Sequence, residues 1–290
     1  MKVSGFTFIR NAVKYDYPIA EAINSILPLC DEVIVNIGNS EDGTEKLIQD
    51  ISSSKIKIFH SVWDESLKEG GRVLAAETDK AFAHVSEEAD WCIYIQGDEV
   101  IHEKYYAAIR EAMKKYKDDK NVDGLLFKYL HFYGSYDYVG DSRTWYDHEI
   151  RIIRNEKNIR SYRDAQGFRK NGQKLNVKLI DAYIYHYGWV KHPEEQLSKH
   201  LNFEKLYSSN KFAEKISRDK TNEFDYSKID SLEKFDGEHP SVMKARIEKT
   251  NWHFDFDISK KNFNTKQRLL YWIEKKTGKR LFDYRNYKII

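Results

Sequence analysis

The chain has 290 residues, 41% hydrophobic and 14% aromatic, with 48 Lys and Arg against 46 Asp and Glu. That aromatic mass excludes a disordered chain, 14 Gly and 4 Pro exclude a collagenous one, and two cysteines, Cys30 and Cys92, exclude a zinc cluster or a disulfide scaffold. No run approaches about 18 apolar residues, and MKVSGFTFIRNA has neither a long apolar run nor a small-residue cleavage site, so a cytoplasmic protein is expected.

The pattern then alternates strand and helix. Phe6-Thr7-Phe8-Ile9 reads as a short strand, and Pro18 opens a helix with Ile19, Ile23, Ile26 and Leu27 on one face. A second strand, Glu32 to Ile37, is broken by the polar Gly38 to Thr44, which leads into a helix through Leu47, Ile48 and Ile51. Ile56 to Phe59 is a third strand, Arg72 to Ser86 is helical, and Trp91 to Ile95 is apolar throughout, as a strand buried on both faces should be. Such βαβ units predict an α/β fold with a mostly parallel central sheet and helices on both faces. Beyond residue 120 the spacing predicts longer strands (Leu125 to Tyr133, Glu149 to Arg154, Asp181 to Tyr187) and helices over Glu194 to Tyr207 and Ser241 to Lys249. The expected division is an α/β part over 1–190, followed by a mainly helical extension with a basic tail over 191–290 that packs on it.

Ligands of open α/β sheets gather outside the carboxyl ends of the strands. Three polar groups fall there: Arg10-Asn11, the Asn36 to Thr44 loop, and Gln96-Gly97-Asp98-Glu99. Two adjacent carboxylates after an apolar strand suit a hard cation such as Mg²⁺ or Mn²⁺. An equally simple reading is that Asp98 and Glu99 cap a helix starting near His102. Asp255-Phe256-Asp257 is a second D-x-D, but Trp252, Phe254, Phe256 and Ile258 alternate with polar residues and predict a half-exposed strand. The stretch Tyr129 to Tyr146 carries seven aromatic residues and could be core, but Gly134, Asp137, Gly140 and Asp141 break it, which better suits an exposed loop with rings free to stack. P-loop, H-E-x-x-H and G-x-S-x-G motifs are absent, which removes the usual residues of kinases, zinc proteases and serine hydrolases.

Taken together, FIRN at 8–11, NIGNSEDGT at 36–44 and WCIYIQGDE at 91–99 resemble family 2 glycosyltransferases of the GT-A fold. Ser40-Glu41-Asp42-Gly43-Thr44 matches the family's S-x-D-G-T, whereas Gln96-Gly97-Asp98 keeps only the second acid of its D-x-D, and Asn36 stands where an Asp is common. The resemblance implies transfer of a sugar from a nucleoside-diphosphate donor to a hydroxyl of a glycan or lipid-linked glycan, by inverting displacement, in surface polysaccharide assembly of the bacterial type. It implies donor contacts from Arg10, Asn11, Asn36, Asp42, Arg72, Gln96 and Asp98, and a divalent cation (Mn²⁺ or Mg²⁺) held by Asp98, Glu99 and His186. His186 lies in Tyr185-His186-Tyr187-Gly188-Trp189, and a half-buried strand histidine is its plainer reading. Asp164, in Arg163-Asp164-Ala165-Gln166-Gly167, lies where the family places its catalytic acid residue, with Asp147 and Glu149 as rivals for the base. The alternative is a non-catalytic nucleotide-sugar or glycan-binding protein.

The net charge of +2 hides an asymmetry. Residues 260–290 hold ten Lys or Arg against Glu274 and Asp283, a charge of +8, leaving −6 for residues 1–259. The acidic body argues against a nucleic-acid partner. In the tail, Asn264 and Gln267 cap a helix that Gly278 ends. Its apolar side either docks on the body or rests on an anionic membrane as a peripheral contact.

Overall fold

The protein is described by a computed structural model that covers residues 1–67, 69–207 and 222–290. Strands β1 (Val3–Ile9), β2 (Glu32–Ile37), β3 (Ile56–His60) and β4 (Trp91–Tyr94) run parallel in the order β3-β2-β1-β4. Their side chains alternate between two cores. Val3, Ile9, Val33, Val35, Trp91 and Ile93 face one side, where α1 (Ile19–Ile26), α2 (Thr44–Gln49) and, farther along the chain, the Tyr106–Tyr116 helix pack. Phe6, Ile34, Cys92 and Tyr94 face the other, covered by α3 (Arg72–Ala83). Burial on both faces is why these strands read as continuous apolar runs. This is the predicted α/β class.

The remaining strands are β5 (Glu99–Ile101), β6 (Gly124–Tyr133), β7 (Tyr138–Gly140), β8 (His148–Arg154), β9 (Ile159–Tyr162), β10 (Gly167–Lys170), β11 (Gln173–Lys174) and β12 (Asn176–Trp189). Strand β8 runs antiparallel between β4 and β6, and β12 pairs parallel with β6 and antiparallel with β5. Strands β9, β10 and β11 form a small separate sheet whose Ile159 and Phe168 join the core beneath α3. The part beyond residue 190 does not stand apart: Leu232–Lys234 pairs with β7 and Lys288–Ile289 with β12.

Several expectations are corrected here. Glu99 opens β5 rather than capping a helix, because β12 offers it a ladder partner. Most of the aromatic stretch is core rather than loop: Tyr129, Phe132, Tyr133, Tyr136 and Tyr138 are buried, and Gly134 (φ +73°) turns the chain between β6 and β7, whereas Trp145 and Tyr146 lie in the loop beyond β7, with Tyr146 exposed at the cleft. Trp252 to Asp257 pairs with no strand among the described residues, and Ile258 and Ser259 turn the chain. Its alternation comes from Trp252 donating to the Gly134 carbonyl (2.8 Å) and Phe254 packing on Tyr133 and Tyr138.

The tail helix, Thr265–Thr277, has the expected capping box between Asn264 and Gln267 and ends at a left-handed Gly278. It docks through polar contacts, Glu274 with Arg143 (2.8 Å) and the Tyr271 hydroxyl with Asp141 (2.6 Å), while Leu269 and Trp272 stay exposed.

Buried Arg154 braces the turn between the Tyr106–Tyr116 helix and β6. Its guanidinium donates to the carbonyls of Tyr116 (2.7 Å), Lys117 (2.8 Å), Asp119 (2.7 Å) and Val122 (2.7 Å). A lysine has three donors for these four carbonyls and lacks the planar fork, so at least one carbonyl loses its donor. Arg154→Lys is expected to cost about 2–4 kcal/mol. A lower urea midpoint with unchanged m-value would show it.

Candidate active site

A cleft of about 1110 Å³ opens beyond the carboxyl ends of β1 and β4. Arg10 and Asn11 reach it from the end of β1, Gln96 and Asp98 from the end of β4, and Arg72 from the start of α3. Asp164, in the turn between β9 and β10, and His186, on β12, line it as well.

Asn36, Asp42 and Glu99 do not line it. Asn36 alternates onto the α3 face of β2, where its amide donates to Glu77 (2.9 Å) and Ser61 (3.1 Å). Asp42 accepts from the backbone of Lys14 (2.7 Å) and from the backbone and hydroxyl of Thr44, so the S-x-D-G-T loop is pinned against the end of β1. Asn11 adds to that pin, receiving Glu41 N–H on its side-chain oxygen (2.8 Å).

The metal expectation for Glu99 is corrected outright. Its carboxylate points into the sheet and accepts two bonds from Arg151 (2.7 and 2.8 Å), one from the Tyr129 hydroxyl (2.7 Å) and one from the Gln96 backbone (3.1 Å). No oxygen of Glu99 is left for a cation in the cleft. The rivals for the base also lie outside: Asp147 pairs with His148 (3.0 Å), and Glu149 is buried.

Asp98 is the centre of the electrostatics. The Lys199 ammonium, on helix α5 at Pro193–Tyr207 (the Tyr106–Tyr116 helix being α4), donates to its Oδ2 (3.0 Å) and to the Gly188 carbonyl (2.8 Å). Burial works against the charge on Asp98, but Lys199, His186 and Lys191 outweigh it and hold the carboxyl well below the usual range. His186 Nε2 lies 3.8 Å from Asp98 Oδ1. Gly188 keeps the space between them open: a Cβ there would lie 2.7 Å from His186 Nε2 and 2.8 Å from Asp98 Oδ2. A carboxylate and an imidazole facing a gap that a methyl would fill fit a divalent cation, provided phosphate oxygens supply the rest of its shell. Among the described residues no group of three His, Cys, Asp or Glu could hold one by itself.

The cleft is cationic. Arg10, Lys14, Arg72, Arg151, Arg163 and Lys199 line it against Glu41, Asp64, Asp98 and Asp164. Arg10 stacks on Trp63 (5.5 Å to the ring centroid), and its buried Nε has no hydrogen-bond partner among the described residues. Sequence reading missed Lys199, Trp63 and the neighbouring His131. Lys199 is one of many lysines and follows Asp98 by a hundred residues, so no local spacing marks it.

No protein-family model matches the chain, and no curated protein does. Among solved structures it is similar to S. aureus TarS 1-349. The complex with UDP is 16% identical with a TM-score of 0.41, covering 70% of this chain and 64% of that one. The complex with UDP-GlcNAc is 20% identical with a TM-score of 0.35, covering 46% and 36%. It is also similar to glucosyl-3-phosphoglycerate synthase from Mycobacterium tuberculosis in complex with Mg²⁺ and UDP, at 18% identity and a TM-score of 0.30, covering 45% and 43%. The chain thus spans between 36% and 64% of the length of these proteins.

Two outcomes follow for the acids below the cleft. Glu99→Gln leaves Arg151 as a buried charge without its counter-ion and is expected to lower stability by about 3–5 kcal/mol, read by calorimetry or denaturant titration. For Glu149, burial outweighs the attraction of Arg151 and pushes the carboxyl up from 4.5 to about 8. Between those values the folded state keeps a proton that the unfolded state releases, so stability falls by roughly 1.4 kcal/mol per pH unit as pH rises. Glu149→Gln is expected to abolish that slope and to be the more stable protein above pH 8.

Proposed function

We propose that the chain is a glycosyltransferase that moves a sugar from a nucleoside-diphosphate donor to a hydroxyl of a glycan or lipid-linked glycan. The observation that carries this reading is the Asp98–His186 gap, kept open by Gly188, in a cation-lined cleft with Asp164 on a separate hairpin. The likeness of FIRN, S-x-D-G-T and QGDE to family 2 glycosyltransferases supports it as well.

The chemistry has two demands: a diphosphate must leave and a neutral hydroxyl must attack. Arg10, Arg72 and Lys199 hold the diphosphate, with the unpartnered Nε of Arg10 as one donor. A divalent cation, Mn²⁺ or Mg²⁺, bound by Asp98 and His186 would offset charge on the leaving group. Asp164 takes the acceptor's proton as the hydroxyl oxygen bonds to the anomeric carbon. The bond from that carbon to the diphosphate oxygen breaks, its electron pair leaves with the diphosphate, and the single displacement inverts the anomeric centre. Lys199 keeps Asp98 ionised and oriented throughout.

The test is release of UDP or GDP from a panel of nucleotide sugars with Mn²⁺, Mg²⁺ or EDTA. Asp164→Asn is expected to lower turnover by about 10²–10⁴-fold with donor affinity nearly unchanged. Affinity falling in step with turnover would make Asp164 a binding residue. Nucleotide binding without turnover on any acceptor would select the non-catalytic reading.

The tail supports a peripheral contact with an anionic membrane carrying lipid-linked acceptors. Leu269 and Trp272 are 58% exposed and Phe282 91% exposed, in a segment that also carries Lys266, Arg268, Lys276 and Lys279. No helix among the described residues is long and apolar enough to cross a membrane. Co-sedimentation with anionic but not neutral vesicles, weakening as salt rises, is the expected result.

A further inference from the structure

The register of β6 against β12 sets His131 beside His186 on neighbouring strands. Their Nδ1 atoms are 3.0 Å apart, so one proton lies between the rings. On its far side His131 Nε2 lies 2.8 Å from the backbone carbonyl oxygen of Tyr146. A carbonyl oxygen only accepts, so Nε2 of His131 carries a hydrogen. At 3% exposure a second proton on that ring would bury a charge, which leaves its Nδ1 as an acceptor. The shared proton therefore belongs to Nδ1 of His186, and Nε2 of His186 is left as a lone pair. That lone pair faces Asp98 across the gap beside Gly188.

We propose that His131 is a positioning residue that fixes the tautomer of His186, so that His186 Nε2 presents a lone pair to a divalent cation shared with Asp98. The proposal rests on the reading of the cleft as a nucleotide-sugar site. Outer partners of this kind orient a ligand imidazole and raise its affinity for a metal. Here the far end of the relay is held by the tail. Arg280 donates to the carbonyls of Arg143 (2.9 Å) and Trp145 (2.5 Å), and Glu274 pairs with Arg143 (2.8 Å), so the loop carrying the Tyr146 carbonyl is braced from residues 274–280.

The tautomer is read directly by nitrogen-15 NMR of histidine-labelled protein, independently of activity. Wild type is expected to show His186 protonated at Nδ1. His131→Phe, which keeps an aromatic ring but removes the acceptor, should populate the Nε2-protonated form. Mn²⁺ affinity in the presence of UDP or GDP, measured by titration calorimetry, should fall about 10–100-fold in that variant. His131→Asn restores an acceptor near the Nδ1 position and should recover both readouts. His186 protonated at Nε2 in wild type overturns the proposal alone, as does unchanged Mn²⁺ affinity in His131→Phe. A wild type with the expected tautomer that binds neither nucleotide, with or without Mn²⁺, overturns the nucleotide-sugar reading and the proposal with it.

Discussion

The buried pair of Glu99 and Arg151 is the constraint on which the cleft depends. Both side chains are almost without solvent contact, at 0% and 1% exposure. Such a pair persists only where desolvation is offset by good geometry and further hydrogen bonds. Four donors converge on the Glu99 carboxylate, and the Arg151 guanidinium lies over the faces of Tyr94 and Tyr129 while donating to the Ile150 carbonyl. The pair ties the start of β5 to β6 and β8, so the end of β4 is held from below. With Glu99 turned inward, the preceding Asp98 turns toward the cleft. Two adjacent acids thus take opposite tasks because Asp98 lies in the turn that closes with the Glu99 N–H on the Gln96 carbonyl (3.1 Å), whereas Glu99 is the first residue of β5.

Above that pair, positive charge is assembled from elements far apart in the chain. Arg10 comes from β1, Arg72 from α3, Arg163 from a hairpin and Lys199 from α5. A second lysine, Lys191, is buried beside them, donates to the Asp16 carbonyl and is pushed down to about 7, first by burial and then by Lys199. Asp98 is the anion that Lys199 and Lys191 share. Its charge offsets the repulsion between the two ammonium groups in a small, partly dry volume.

The C-terminal residues belong to the same construction. Lys288–Ile289 adds to β12, the strand that carries His186. The Thr265–Thr277 helix clamps the 141–147 loop through Asp141 and Arg143. A surface helix with no fully buried residue is therefore connected, through backbone carbonyls and His131, to the floor of the cleft.

Short-range rules made much of the fold legible from sequence. Apolar runs with β-branched residues marked the parallel strands, and Asn264, Gln267 and Gly278 marked both ends of the tail helix, because caps depend on residues within one turn. Strand ends also marked where Arg10, Gln96 and Asp98 would lie, since a parallel sheet puts all its carboxyl ends on one side. What local pattern could not tell was which side a residue faces once a second layer covers it. Asn36 and Glu99 looked like cleft residues by position, and pairing with Glu77 and Arg151 turned them inward. The aromatic stretch looked like a loop because its glycines break the pattern, but the β6–β7 hairpin buries five of its rings and leaves Trp145 and Tyr146 in the loop that follows. Lys199 and His131 were invisible in sequence and meet Asp98 and His186 only through helix docking and the register of β6 on β12. Those contacts depend on how distant segments stack, and no run of neighbouring residues encodes that by itself.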